Sequence, residues 1–167
     1  MTQQTAKGIT YPESIDHVRM WEHLQRLADD VDPLLDLPDW QAYTATLTGL
    51  TLGNGSVLTR YQKLGNRIAV AWSLNWGSTT SGSMPQISLP VAPASLGGMR
   101  WTGQGTINDG SGSAWHTGWA VLQDSGTAIS TYAVSTSSAI TSTLSVAGIT
   151  MQSGGWLQGH LEYEVAS

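Results

Sequence analysis

The chain has 167 residues, enough for one domain with an extension and too few for two comfortable cores. It contains no cysteine, which excludes a disulfide framework, a cysteine-based zinc site and a thiol nucleophile. The net charge of −5 is unevenly placed: residues 1–39 hold eight acidic against three basic side chains, while residues 40–167 hold four of each. No basic patch is left to neutralise phosphates, so nucleic-acid binding is disfavoured. No early stretch joins a basic start to an apolar run, so no secretion signal is expected. The apolar runs fall far below the ~20 residues that span a bilayer, so a soluble chain without membrane insertion is expected.

The N-terminal residues 1–11 are polar and read as an extended arm, unpaired unless docked on a partner. Pro12 or Ser14 can open a helix, because proline suits the first turn and serine supplies a capping oxygen. Glu13 and Asp16 would then sit favourably at the positive helix end. The helix is expected to stop near Val31, since Pro33 disfavours helical geometry at Asp32. Met20, Leu24, Leu27 and Val31 recur at helical spacing, overlapped by a row of His17, Trp21, Leu24, Ala28 and Val31. Such a short helix is marginal alone in water and has to pack on something. Two partners stay open: its own domain, or a short parallel bundle with copies of itself through Met20, Trp21, Leu24, Leu27 and Val31.

From Trp40 onward the periodicity changes to two. In residues 67–76, Ile68, Val70, Trp72, Leu74 and Trp76 alternate with small or polar residues, the mark of a half-buried strand. Residues 56–64 alternate as well, and Gly65-Asn66 between the two runs signals a hairpin. Gly53-Asn54-Gly55 and Asn108-Asp109-Gly110 read as further turns. More strands are predicted at residues 41–47, 86–89, 99–108, 114–123, 128–134 and 156–165. Residues 135–145, rich in Ser and Thr, fit either strand or loop. The expected fold is mainly β: an N-terminal arm and single α-helix over residues 1–39, then an antiparallel β-sandwich, jelly-roll-like, of about eight strands over residues 40–167.

A search for chemistry finds no catalytic constellation. There is no G-x-S-x-G elbow, no phosphate-binding loop and no G-x-G-x-x-G after a strand. His17 and His23 are poorly spaced for one metal ion, and His116 and His160 are isolated strand histidines. Glu162 and Glu164 share a strand face, but glycosidic acid–base work needs a facing carboxylate, and a solvated face explains them better. Asp109-Gly-Ser-Gly is too poor in carboxylates for a calcium loop. Asn54-Gly55-Ser56 fits a glycosylation acceptor, yet turn geometry explains it. No metal, no cofactor and no enzymatic activity are therefore expected. Trp72 and Trp76 fall on the apolar strand face and are expected in the core. Trp101, Trp115 and Trp119 flank Gly-rich turns, where exposed rings could stack on sugar faces; core or subunit-interface packing is the alternative for each.

Two segments carry a resemblance. The run Tyr11-Pro-Glu-Ser-Ile-Asp-His-Val-Arg-Met-Trp-Glu-His-Leu-Gln-Arg-Leu-Ala-Asp-Asp-Val-Asp resembles an N-terminal segment of minor tail and fibre-like proteins of phages of actinobacteria. The run Tyr43-Thr-Ala-Thr-Leu-Thr-Gly-Leu-Thr-Leu-Gly-Asn-Gly, followed by Arg60-Tyr61 and the Trp-bearing strand, is similar to the β domain that often follows it. Eight Trp, no Phe and five Arg to two Lys point to GC-rich coding DNA, which agrees with such a host. The resemblance implies a virion structural protein: a homotrimeric tail-fibre or minor tail protein that meets other virion proteins through residues 1–39. Its β domain would face outward and contact the host surface. One β module without a shaft leaves room for a capsid decoration or head fibre docked on the shell. A carbohydrate-binding module is a further reading, and a glycan-cleaving enzyme using Glu162 and Glu164 the remotest.

Overall fold

The computed structural model describes residues 2–4, 10–12, 20–35, 38–95, 97–112, 115–124, 126–134 and 140–166, and divides the chain into two units, Met1–Pro38 and Asp39–Ser167. In the first unit the arm is paired. Strand β1 (Thr2–Gln4) runs antiparallel to β2 (Thr10–Pro12), with Gln3 opposite Tyr11. This corrects the expectation of an unpaired arm, and it places Pro12 at a strand end, a position where a missing N–H costs nothing. Residues 13–19, including Ser14, Asp16 and His17, lie outside the described residues.

Helix α1 spans Met20–Leu35, so it continues through Asp32 and Pro33 where a stop near Val31 was expected. Proline biases its predecessor away from helix without forbidding it. Here the carbonyl that loses its donor is that of Asp29, on an exposed turn where water can take the bond. Leu24 and Leu27 are both exposed on this helix, at 60% and 39%, and Val31 is half-buried. The side chains of Met20 and Trp21 lie outside the described set.

The second unit is built outward from its best-patterned hairpin. Strands β5 (Ser56–Leu64) and β6 (Arg67–Asn75) pair along their whole length around Gly65, whose φ of +62° is a conformation that favours glycine. The other strands are β3 (Gln41–Ala42), β4 (Leu47–Thr51), β7 (Ser81–Ser88), β8 (Arg100–Asn108), β9 (Trp115–Gln123), β10 (Ala128–Val134), β11 (Ile140–Thr141) and β12 (Trp156–Glu164). All pairings are antiparallel, in the order β3-β5-β6-β12-β8-β9-β10-β7-β4, with β11 added to β10.

The two ends of this ladder belong to one piece of chain. β3 pairs with β5 and β4 with β7, and only residues 43–46 separate them. Tyr43 N–H donates to Thr59 O at 3.2 Å, and Ser88 N–H donates to Thr46 O at 3.0 Å. The segment thus joins both margins of a curled sheet; of the single strand expected at residues 41–47 only Gln41, Ala42 and Leu47 lie in strands, and β4 continues to Thr51 beyond the expected end.

Curling brings β6 face to face with strands far along the ladder. Ile68, Val70 and Trp72 share one buried cluster with Ile87, Leu122, Ile129, Leu161 and Tyr163. Leu74 and Trp76 share a second with Met84, Ile107, Ala133, Leu144, Ile149 and Leu157. Trp72 and Trp76 are core residues as expected, 4% and 8% exposed. The indole of Trp72 has room because its rung continues across three glycines: Trp72 pairs with Gly159, Gly159 with Gly105, and Gly105 with Gly118. A Cβ on Gly159 would lie 2.4 Å from Trp72 Cζ2, inside the ring's contact distance.

Strand β7 begins five residues before the expected start at Gln86. Its ladder shifts between Thr48 and Leu50, and Pro85 falls in the shifted stretch, where no ladder donor is needed. Residues 135–139 lie outside the described residues, and β11 follows them.

Asn54 ties the β4–β5 turn to the loop after β6. Its Oδ1 accepts from Thr79 N–H and Thr79 Oγ1, both at 2.9 Å, and its Nδ2 donates to Ser78 Oγ at 3.0 Å. Asn54→Ala is expected to cost about 1–2 kcal/mol, read as a lower urea midpoint at unchanged slope.

Burial also sets the alkaline limit of this unit. The Tyr163 hydroxyl donates to Val91 O at 2.7 Å, and burial pushes its pKa up to about 12; burial raises Tyr43 as well. Above about pH 10 the unfolded chain gives up these protons while the folded chain keeps them. Stability is therefore full below about pH 10 and falls as pH rises toward 12. Urea midpoints at about pH 8 and about pH 11 should differ, and Tyr163→Phe should shrink the difference.

Candidate functional site

The outward face of β6, β12, β8 and β9 carries the most chemically specific surface among the described residues. Because side chains alternate along each strand, register alone places the outward residues in rows. One row runs Arg60, Ala71, His160, Gln104, Trp119 and Tyr132 across six strands. The next runs Leu58, Ser73, Gln158, Thr106 and Thr117. The third ends on Trp156, Asn108 and Trp115 at the margin of the sheet.

Between the first two rows lies a groove of about 430 Å³, lined by Ala71, Gln104, Thr106, Gln158 and His160. Ala71 contributes only a methyl group to its lining, beside the longer side chain of His160. Gln158 Nε2 donates to Ser73 Oγ at 3.1 Å, which holds one amide in place along its rung. Gln104 and His160, opposite one another in the ladder, are both exposed to solvent.

The tryptophans expected at this surface fall in different places. Trp119 is 39% exposed and sits beside Gln104 in the ladder. Trp115 is 64% exposed, and its ring meets Trp156 edge-on at 5.0 Å and 80°, which fixes its orientation while leaving area open. Trp101 is half-buried against the inner cluster, edge-on to Tyr163 at 6.3 Å, and packs there as a core neighbour. Trp156, Gln104, Gln158 and His160 were not singled out from the sequence as parts of one surface; only the cross-strand register assembles them.

Glu162 and Glu164 lie further along β12, where with Arg67 and Trp101 they line a separate cleft of about 90 Å³. Both carboxylates project from one strand. Asp109 is engaged locally: its Oδ1 accepts from Ser111 Oγ at 2.7 Å and Ser111 N–H at 2.8 Å. Those bonds, the side-chain one foremost, hold its carboxyl below the usual range. Asn54, read as a possible glycosylation acceptor, is occupied in the clasp to Ser78 and Thr79. Two buried nitrogens, Trp72 Nε1 and His116 Nε2, have no hydrogen-bond partner among the described residues.

Among the described residues no group of three or more acidic, His or Cys side chains is placed to hold a metal ion. No described helix is long and apolar enough to cross a membrane. No family model, no curated protein and no solved structure matches this chain.

Proposed function

We propose that the chain is a virion structural protein of the minor tail or tail-fibre type, a homotrimer assembled through residues 1–39 that presents its β unit to the host surface. The observation that carries this reading is the contrast between the two units. The first is acidic and bears a 16-residue helix on which Leu24 and Leu27 stand exposed. A helix of that length with uncovered leucines is expected to find its stability in a bundle. The second is close to charge-balanced, has stitched margins and carries tryptophan and amide side chains outward, which suits a displayed module. The resemblance of residues 11–32 and 43–55 to fibre-like virion proteins supports the same reading.

On this reading the curled sheet is a jelly-roll-like sandwich. The support is that β6 shares its clusters with β7 and β10 from the far end of the ladder. The paired arm β1–β2 favours a second reading, a capsid decoration or head fibre, because a short hairpin offers strand edges that a shell protein can extend.

Native mass spectrometry of the full chain at micromolar concentration tests the assembly. A trimer is expected; a monomer with the helix still formed by circular dichroism would overturn it.

A further inference from the structure

The chemistry of the outward face of β12, β8 and β9 goes beyond assembly. We infer that this face binds a short neutral oligosaccharide, stacked on Trp119 and reaching across β8 to β12 over the groove, with Trp115 as a second platform along β9. The inference deepens the reading of the β unit as a displayed module and rests on it for its biological setting.

Three observations converge. First, Trp115 and Trp119 both project outward from β9, four residues and about 13 Å apart. That is the length of a few sugar rings, whose C–H faces stack on indole as other apolar groups do. The edge-on contact of Trp115 with Trp156 orders its ring before any ligand arrives, so little freedom is lost on binding. Second, the groove beside Trp119 is lined by groups that match sugar hydroxyls: the amides of Gln104 and Gln158, the imidazole of His160 and the hydroxyl of Thr106. An amide offers a donor and an acceptor side by side, and a hydroxyl on a ring needs both. Third, the groove lining contains no carboxylate and no Lys or Arg; Arg60 stands beyond Ala71, at the far side. A neutral polyhydroxylated ligand fits that balance, whereas a phosphate or an acidic peptide would find one cation at most.

Other parts of the molecule give less. The hydroxyl-rich hollow of about 380 Å³ near Thr48, Ser83, Ser130 and Ser142 lacks an exposed Trp. The Glu162–Glu164 cleft is small, and the two carboxylates share one wall.

The test uses the purified full chain and a panel of neutral tri- to hexasaccharides, read by tryptophan fluorescence and saturation-transfer NMR. At least one member should bind, with transfer to its ring protons. Trp119→Ala and, separately, Gln104→Ala should each weaken that binding by roughly tenfold or more at an unchanged circular dichroism spectrum and melting temperature. Gln104 is exposed, so its variant keeps the test valid should Trp119→Ala disturb the fold. No binding across the panel at millimolar sugar would overturn the inference. So would binding that neither variant alters, or a change in native mass on Trp119→Ala, which would assign the face to contacts between subunits. Because the assay needs no virion, its failure leaves the virion reading standing, and failure of the virion reading leaves sugar binding intact.

Discussion

Trp72→Ala is expected to lower the unfolding free energy of the β unit by about 3–5 kcal/mol, the usual cost of deleting a large buried aromatic. Trp72 is 4% exposed, and its ring occupies the space that Gly159 leaves by lacking a side chain. Its Nε1 has no hydrogen-bond partner among the described residues, so the loss there is one of packing and no described polar partner is orphaned. The converse change, Gly159→Ala, is expected to cost about 1–3 kcal/mol because its Cβ would overlap the indole. Combined with Trp72→Leu, which clears the ring, Gly159→Ala should cost less than it does alone, the part that remains coming from the 2.9 Å approach of its Cβ to Gln104 O. Urea unfolding of the four members of this cycle checks it. Strictly additive costs would mean that the ring and the glycine row do not support one another.

If the proposed trimer forms through α1, Leu24→Asp is expected to dissociate it while leaving the β unit folded. In the single chain Leu24 is 60% exposed, so the substitution by itself should change stability by no more than about 0.5 kcal/mol. In a helical bundle the same position would bury one carboxylate per chain at a single level of the seam. A buried charge without a partner costs about 3–5 kcal/mol, enough to undo a short bundle. Sedimentation velocity separates the cases. An unaltered mass would place the subunit contacts elsewhere, in the β unit, and would leave the exposed leucines of α1 without this role.

These two positions also show what could be read from the sequence. The β5–β6 hairpin was legible in full because alternation and the Gly65-Asn66 turn are local signals, and β8, β9, β10 and β12 were legible to within a residue at either end. Leu24 was legible as part of an apolar helical face. The role of Gly159 was not, since a glycine inside a strand looks like weakness until register sets it opposite Trp72. The same holds for the groove. Gln104 and His160 are 56 positions apart in the chain, and nothing near either one announces that β12 inserts between β6 and β8. Trp115 and Trp119 could be picked out beside Gly-rich turns, but Trp101, with the same local setting, packs inward against Tyr163. Exposure of a tryptophan is decided by strand phase, and one residue of register reverses it. The break at residues 43–46 and the run of β4 to Thr51, in place of one strand over 41–47, were hidden for a related reason. The segment has one continuous pattern but two partners, β5 and β7, that only the curl of the sheet brings near one another.

The proposed virion role is tested most directly with gold-tagged antibody raised against residues 40–167, applied to intact particles of the phage that this proposal requires as the chain's source. The account predicts gold at the tail end of the particle, with the β unit accessible without disruption. Gold spread over the head would replace the tail-fibre reading with a capsid decoration. Particles that carry no gold, and no trace of the chain when dissolved and blotted, would contradict the account.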